Sequence, residues 1–419
     1  MQKIYLDHSA TTPIDPQVLK KMQPYLTEIF GNASSMHSFG QEALKGVDWA
    51  REQLSKLFGC KFKEVIFTSG ASESNNLVLR GLVMAFRKKQ EKKYHLITSK
   101  IEHPAILEVC QELEKEGLVE VSYIGVNKRG LVEVDEIKKA IKDNTILVSI
   151  MYVNNETGVI QPIREIGKMI EKVNKIRNKK QEIGNKKIDV YNKIYFHTDA
   201  VQAVNYCKMQ ANYLGADLIT ISGHKIYGPK GIGALYIREG TSIKSITFGG
   251  HQEYNIRPGT YNVPGIIGLG AAVELVNNES ASADGSTLLT MTASALRIKK
   301  LRDKLIEGLK KKISNIQING DLENRVPSNA NISFLNAEGE SMLLMLDMEG
   351  IAVSTGSACA SGSLAPSHVL TAMNIPAEIC HASLRFTLGK GTTEKEIDKV
   401  IEILPKIVER LRKMSPIKK

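Results

Sequence analysis

The sequence predicts an α/β protein with a mostly parallel sheet covered by helices, followed by a smaller α+β unit. Between residues 17 and 257, short apolar runs typical of buried strands alternate with stretches of helical apolar spacing, the pattern of repeated βαβ units. After residue 264 the pattern changes to one long helix, two short strands and a closing helix, at about 289–311, 316–319, 331–334 and 394–412. We therefore predict a large domain over 15–260 and a small domain formed by 1–14 and 261–419.

The overall composition is that of a soluble globular protein with a large core. Of the 419 residues, 42% are apolar and 24% are charged, and the length is sufficient for two or three domains. No run of 18 consecutive apolar residues occurs, and the first residues lack the apolar stretch of a signal peptide. The five cysteines are odd in number and lack metal-ligand spacing, which argues against disulfides and a metal site. We expect a cytoplasmic protein without a membrane partner.

The formal net charge of +11 raises the question of nucleic-acid binding. Much of the excess lies in a lysine-rich segment at 172–193 and in residues 406–419. Aromatic side chains for base stacking are sparse in both, and charge runs of this kind most often form solvated surfaces. We therefore expect no nucleic-acid partner. The apolar spacing predicts a helix from 163 to about 177, and we interpret the lysine-rich insertion 172–193 as a surface feature whose connection from there to Ile194 is a flexible loop. A nonenzymatic RNA-binding scaffold that uses this insertion is the alternative from a different class.

Two strand ends in the first half of the chain carry polar residues. Residues 69–72 connect a predicted strand at 64–68 to a helix whose free amides and positive dipole end suit an anion, although a plain serine N-cap explains the same residues. His103 follows a strand at 95–99 and precedes a proline that opens a helix. An isolated histidine is more often a structural hydrogen-bonding group than a catalytic one.

Lys225 carries the strongest signal for chemistry. It lies in SGHKIYGPKGIG, residues 222–233, just past a predicted strand at 217–221, where a parallel sheet opens its ligand crevice. Partial burial beside other positive groups favours the neutral amine, the form that reacts with a cofactor aldehyde. A glycine-rich turn with a solvated lysine explains this stretch equally well on its own. A second strand end upstream supplies Asp199, a carboxylate suited to keeping a pyridine nitrogen protonated.

Cys359 lies in a run of small residues, STGSACASGS at 354–363. Small side chains bury little surface, so we expect a mobile loop over 354–368 and an exposed, nucleophilic thiol. Eight extended residues span up to roughly 25 Å, which allows Cys359 to reach both a cofactor and an acceptor protein. Cys380, next to His381, is interpreted as structural because adjacent side chains rarely face each other.

Several separate stretches together resemble the pyridoxal-phosphate-dependent cysteine desulfurases. They are YLDHSATTP at 5–13, TSGASESNN at 68–76, VNNETG at 153–158, TDAVQ at 198–202 and the lysine stretch. GSAC at 356–359 followed by PSHVL at 366–370 is similar to the long-loop group I enzymes, the NifS and IscS type within the class-V aminotransferases. The match runs nearly end to end. It implies the aspartate-aminotransferase-like fold type I, with a seven-stranded type of sheet in the large domain.

The resemblance also implies roles for individual residues. Lys225 holds the cofactor and moves the substrate α-proton, His103 stacks on the ring and handles protons, and Cys359 takes up the sulfur. The remaining matched positions bind cofactor or substrate: Ala71, Ser72, Ser222 and His224 at the phosphate, Asp199 and Gln202 at the ring, Asn155 at cofactor and substrate, and Arg385 at the substrate carboxylate. Thr260 reaches the phosphate of the cofactor in a partner subunit, which implies a homodimer.

The implied reaction converts L-cysteine to L-alanine and leaves a persulfide on Cys359. The resemblance leaves the sulfur acceptor open among an iron-sulfur scaffold protein, a tRNA-thiolation enzyme and a nitrogenase-dedicated pathway. Cys359 could also serve as a transient iron-sulfur ligand. Related pyridoxal-phosphate chemistries stay open, namely a selenocysteine lyase, a sulfide-releasing cysteine lyase or an aminotransferase. The Cys359 loop argues against the last of these.

Overall fold

The structure is a computed structural model that describes residues 3–86, 93–182, 193–281, 289–355 and 365–414. After a short N-terminal strand, β1 (Ile4–Tyr5), the chain supplies the strands of the central sheet: β2 (Val65–Thr68), β3 (Tyr94–Ser99), β4 (Val119–Ile124), β5 (Thr145–Ser149), β6 (Tyr195–Asp199), β7 (Leu218–Ser222) and β8 (Gly233–Ile237). Their spatial order is β2-β8-β7-β6-β5-β3-β4. Only β8 runs antiparallel to its neighbours in this sheet. The predicted mostly parallel sheet is confirmed.

Helices cover both faces of this sheet. They are α1 (Pro16–Met22), α2 (Pro24–Thr27), α3 (Ser38–Phe58), α4 (Ala71–Phe86), α5 (Pro104–Lys115), α6 (Val134–Ala140), α7 (Ile163–Glu182), α8 (Ala211–Leu214) and α9 (Val263–Ala281). One apolar core lies under α3, α7 and α9, and a second lies under α4 and α5. Ile66 and Phe67 of β2 enter different cores because side chains alternate across a strand. This two-sided burial explains the continuous apolar runs of the strands.

A smaller antiparallel sheet forms with its own core. Its strands are β9 (Ile316–Ile318), β10 (Asn329–Phe334), β12 (Ser354–Thr355) and β13 (Ser383–Thr387), in the order β12-β13-β10-β9. The helices of this part are α10 (Ala293–Lys312), α11 (Gly339–Met348), α12 (His368–Ala372), α13 (Ala377–His381) and α14 (Glu394–Met414). β1 pairs in parallel with β11 (Ile351–Ala352), and Leu6 joins the same core. The N-terminal segment therefore packs with the C-terminal part of the chain.

Two expectations about helices need correction. The sequence predicts that a helix ends at about Arg177 and that a flexible connection follows, but α7 continues to Glu182, because lysine, glutamate, glutamine and arginine are good helix formers. Residues 183–192 lie outside the described residues. The sequence analysis also misses α9, which is apolar around most of its circumference and shows no helical period. α9 packs against α1 and α3. The division of the chain at 260/261 stays a prediction.

Within the described ranges, none of the helices has the length and apolar content needed to cross a membrane. The same residues contain no group of three or more histidine, cysteine, aspartate or glutamate side chains placed to hold a metal ion.

Candidate cofactor and substrate site

The carboxyl ends of the central strands open into a cavity of about 630 Å³. Small-molecule sites commonly have volumes of about 300–1,000 Å³. Ten residues that the sequence analysis singles out line this one cavity: Ala71, Ser72, His103, Asn155, Asp199, Gln202, Ser222, His224, Lys225 and Arg385. Nine of them lie at or after the carboxyl ends of central strands, so the parallel sheet brings these nine together, whereas Arg385 comes from β13 of the smaller sheet.

Two predicted site residues are not among those that line the cavity. Thr260 is exposed and follows Gly259, which lines a separate surface hollow of about 330 Å³. Cys359 lies outside the described residues. The last described residues before that segment belong to β12, where Ser354 pairs with Arg385 of β13, a residue that lines the cavity.

Asp199 ends β6 and is largely buried. Its carboxylate accepts a hydrogen bond from Asn75 Nδ2 at 2.8 Å and another from the Val201 backbone N–H at 3.1 Å. These two donors fix the carboxylate at the cavity, where it can accept one further hydrogen bond from a protonated ring nitrogen. Gln202 lies three residues later on the same side, and its amide nitrogen donates to the Ser9 carbonyl at 3.0 Å.

Lys225 closes a single 3₁₀ turn, Gly223–Lys225, directly after β7. Its ammonium donates to the carbonyl oxygens of Ser9, at 2.5 Å, and Ala10, at 2.7 Å. The turn itself is tied to the same N-terminal segment, because the backbone N–H of Thr12 donates to the His224 carbonyl at 2.9 Å. Residues 9–12 therefore hold the lysine at the cavity. The sequence motif that contains residues 9–12 does not predict these contacts.

The first turn of α4 forms the end of the cavity suited to an anion. Ala71 and Ser72 lie in this turn, whose backbone N–H groups have no partners within the helix. Gly70, just before it, has φ +152°, a conformation that L side chains rarely adopt. His224 contributes a side chain whose Nδ1 lies 3.2 Å from Thr11 Oγ1. Burial, together with Lys225 and Lys230, lowers the pKa of His224 to about 4, so its imidazole is neutral.

His103 both caps a helix and lines the cavity. It is the N-cap of α5, and its Nδ1 accepts a hydrogen bond from the Ala105 backbone N–H at 3.1 Å. Burial lowers the pKa of His103, with Asp199 opposing the shift and Lys225 reinforcing it. Because Nδ1 accepts a hydrogen bond, the neutral ring carries its proton on Nε2. The same side chain lines the cavity, so the helix cap fixes the tautomer of a cavity residue.

Arg385 is a buried cation on β13, with 1% of its surface exposed. One terminal nitrogen donates to the Asn155 carbonyl at 3.0 Å and the other to Asp7 Oδ1 at 2.7 Å. Its Nε has no hydrogen-bond partner among the described residues. A guanidinium has five N–H donors, so it keeps enough of them to bind a small carboxylate. Asp7, its ion-pair partner, is a residue that the sequence analysis does not identify.

Glu156 is a second residue that the sequence analysis quotes without a role. It follows Asn155 and is buried, and its Oε2 accepts a hydrogen bond from Ser367 Oγ at 2.5 Å. Burial raises the pKa of its carboxyl to about 7, against the opposing effects of Ser367 and Arg385. Ser367 is the N-cap of α12, so this contact fixes the start of α12 to the residue that follows Asn155 of the cavity.

Comparisons with known proteins relate this chain to the family that its sequence motifs resemble. Residues 4–400 match the family model described as aminotransferase class-V. A curated relative, cysteine desulfurase IscS of Dictyoglomus turgidum, is 46% identical over 417 residues, which cover 100% of this chain and 97% of the relative. A solved NifS-like protein superposes with a TM-score of 0.85 at 34% identity, covering 98% of this chain and 100% of that one. A structure described as SspA in complex with cysteine gives a TM-score of 0.76 at 33% identity, covering 94% and 100%.

Proposed function

We propose that this chain, which belongs to the class-V aminotransferase family, is a pyridoxal-phosphate-dependent cysteine desulfurase that converts L-cysteine to L-alanine and transfers the sulfur to Cys359. The observation that carries the proposal is the placement of Lys225 in one cavity with Asp199, Arg385 and the first turn of α4. The name of the full-length relatives supports the activity, and a similar structure described in complex with cysteine supports the substrate.

The residues present fit pyridoxal phosphate. Asp199, fixed by two N–H donors, offers a carboxylate to a protonated pyridine nitrogen. The first turn of α4, with Ser222 and His224, offers donors to a phosphate, and Lys225 offers the amine that binds an aldehyde. When bound, the cofactor supplies an electron sink for the substrate α-carbon.

The chain's own residues then do the positioning and the proton transfer. Arg385 binds the substrate carboxylate, which orients the α-carbon toward Lys225. The neutral amine of Lys225 removes the α-proton, and it can return a proton to the product. His103 is neutral with its proton on Nε2, and it serves as the second proton-transfer group of the cavity.

Cys359 carries the sulfur transfer. Its thiolate forms a sulfur–sulfur bond with the substrate Sγ while the substrate Cβ–Sγ bond breaks, and Cβ takes up a proton as L-alanine forms. The persulfide on Cys359 is passed to an acceptor, which we propose to be an iron-sulfur scaffold protein or a tRNA-thiolation enzyme. We further propose a cytoplasmic homodimer, in which the exposed Thr260 contacts the phosphate of the cofactor bound in the partner subunit.

The test measures alanine and sulfide formed from L-cysteine, with a thiol reductant and added pyridoxal phosphate, by wild type and by Cys359→Ser. The proposal expects alanine from wild type only, with the cofactor's visible absorption unchanged in the serine variant. Equal alanine formation by both proteins would show that Cys359 does not take part in the reaction. Alanine from neither, with cofactor bound, would favour a related lyase or an aminotransferase, which assays with selenocysteine and keto acids then separate.

A further inference from the structure

Glu102 is a fully buried carboxylic side chain directly before His103. Its Oε1 accepts two hydrogen bonds, from Ser99 Oγ at 2.5 Å and from the Met151 backbone N–H at 2.9 Å. Its Oε2 has no hydrogen-bond partner among the described residues. Both donors thus converge on one oxygen and leave the other buried without a hydrogen-bond partner among the described residues.

This arrangement suits a neutral acid and not a carboxylate. An ionised group buried without a cation is strongly disfavoured, whereas an unpaired buried hydroxyl costs only about 1–3 kcal/mol. The ionisable groups that face Glu102 supply no compensating charge: Asp199 of β6 is an anion, and Cys110 of α5 is a buried thiol. Burial raises the pKa of the Glu102 carboxyl to about 8, reinforced by Asp199 and opposed by the Ser99 and Met151 hydrogen bonds.

Glu102 also joins the elements that surround His103. Its side chain connects the end of β3, through Ser99, with Met151, which follows β5 and lines the cavity. Its backbone carbonyl lies 2.9 Å from His368 Nε2 at the start of α12. Through these contacts the residue before His103 is fixed to the ends of two central strands and to α12, and a negative charge on it would lie close to Asp199.

We propose that Glu102 works as a protonated, neutral acid, a positioning residue that holds His103 and Met151 at the cavity. Ionisation of Glu102 at alkaline pH places a second negative charge near Asp199 and loosens this arrangement. The catalytic part of the inference rests on the proposed function, but the protonation state of Glu102 does not.

The test compares wild type with Glu102→Gln, which retains an oxygen acceptor for Ser99 and Met151 and cannot ionise. The matched control is Glu108→Gln, an exposed position on α5, the helix that begins two residues after Glu102. The folded state holds the proton on Glu102 more tightly than the unfolded chain does, so the stability that Glu102 contributes to wild type is lost as pH rises from about 4.5 to about 8. Glu102→Gln removes this loss, so its Tm relative to wild type should rise by several degrees between pH 5 and pH 8. The control should show no such change.

In the same series, kcat/KM of Glu102→Gln at pH 7 should stay within about threefold of wild type, since a positioning hydrogen bond is retained. We expect wild-type kcat/KM to decline near pH 8 as Glu102 ionises, and we expect this decline to be absent from Glu102→Gln. A Tm difference that does not change with pH, or a tenfold loss of kcat/KM at pH 7 in folded, cofactor-bound Glu102→Gln, would overturn the proposal. The Tm comparison needs no activity, so it separates failure of this inference from failure of the desulfurase assignment.

Infrared spectroscopy covers the case in which Glu102→Gln does not fold. It is applied to Glu156→Gln, because Glu156 is the other buried glutamate whose pKa lies near neutral pH among the described residues. A protonated-carboxyl band present at pH 7 and lost by pH 9.5 is expected. Absence of that band at pH 7 would contradict a neutral Glu102.

Discussion

Two walls of the cavity are built in different ways. The sheet-edge wall consists of Lys225, Asp199 and His103, each within a few residues of the strand that precedes it. The N-terminal wall consists of residues 9–11 together with Arg385 on β13, which Asp7 holds by an ion pair, and contacts across long sequence separations keep it in place. The difference suggests that the two walls have different binding roles. We expect the sheet-edge wall to bind the cofactor and the N-terminal wall to bind the substrate.

Removal of the lysine amine from the sheet-edge wall should have the largest effect. Lys225→Ala loses the covalent attachment of the cofactor and the group that moves the α-proton, so activity should fall by about 10³-fold or more. The visible absorption of the bound cofactor, measured after gel filtration, should be lost as well. Lys230→Ala, which lines the same cavity, is the matched control and should retain the absorption. Full activity in Lys225→Ala would contradict the assignment of the lysine.

A change in the N-terminal wall should separate substrate binding from cofactor binding. Arg385→Lys keeps the positive charge but loses the two-point geometry of the guanidinium, which is worth about 1.5–3 kcal/mol for a carboxylate. We expect kcat/KM for L-cysteine to fall by about 10²-fold, mainly through KM, with the cofactor absorption unchanged. Arg80→Lys on α4 serves as the control. Loss of the cofactor from Arg385→Lys would break the distinction between the two walls.

Asp7 tests how far the N-terminal wall depends on its ion pair. Asp7→Asn keeps an oxygen acceptor for Arg385 but removes the charge that compensates the buried guanidinium. The free energy of unfolding should decrease by about 2 kcal/mol, while kcat/KM changes by less than about tenfold. Chemical denaturation and steady-state kinetics measure the two effects. The exposed Asp143→Asn is the control, and equal stability of both variants would show that the ion pair does not hold this wall.

The smallest expected effect is on the pH dependence of thermal stability, and it comes from His197 in the sheet beneath the sheet-edge wall. His197 on β6 is fully buried between Ser149 Oγ and Thr220 Oγ1, and burial lowers its pKa to about 3. An unfolded histidine titrates near 6.5, so the stabilisation by neutral His197 is complete above about pH 6.5 and is lost as pH falls toward 4. Wild type should therefore lose more Tm than His197→Gln between pH 7 and pH 4.5. The exposed His381→Gln should follow the wild-type curve.

The same two walls show how much the sequence alone can predict. Lys225, Asp199 and His103 follow apolar runs that are recognisable as buried strands, and parallel strands place their carboxyl ends at one edge. Local pattern was therefore sufficient to bring these residues to one site. The resemblance to a family supplied their proposed roles, which spacing alone left open.

Local sequence patterns do not predict the contacts of the N-terminal wall. The bond between Arg385 and Asp7 joins residues 378 positions apart, and the backbone carbonyls of Ser9 and Ala10 contact Lys225 regardless of side-chain type. Glu102 was likewise invisible as a buried acid, because only the packed structure shows which of its oxygens has partners. α9 was missed for a related reason, since a helix buried on most sides has no polar face to reveal its period.

The measurement that tests the central claim most directly is mass spectrometry of the cysteine-containing peptides after a single turnover with L-cysteine. The account predicts one added sulfur atom on the peptide that contains Cys359. It predicts none on the peptides of the other cysteines, which are Cys60, Cys110, Cys207 and Cys380, and none anywhere in Lys225→Ala. Alanine formed by wild type with no sulfur on Cys359 would contradict it.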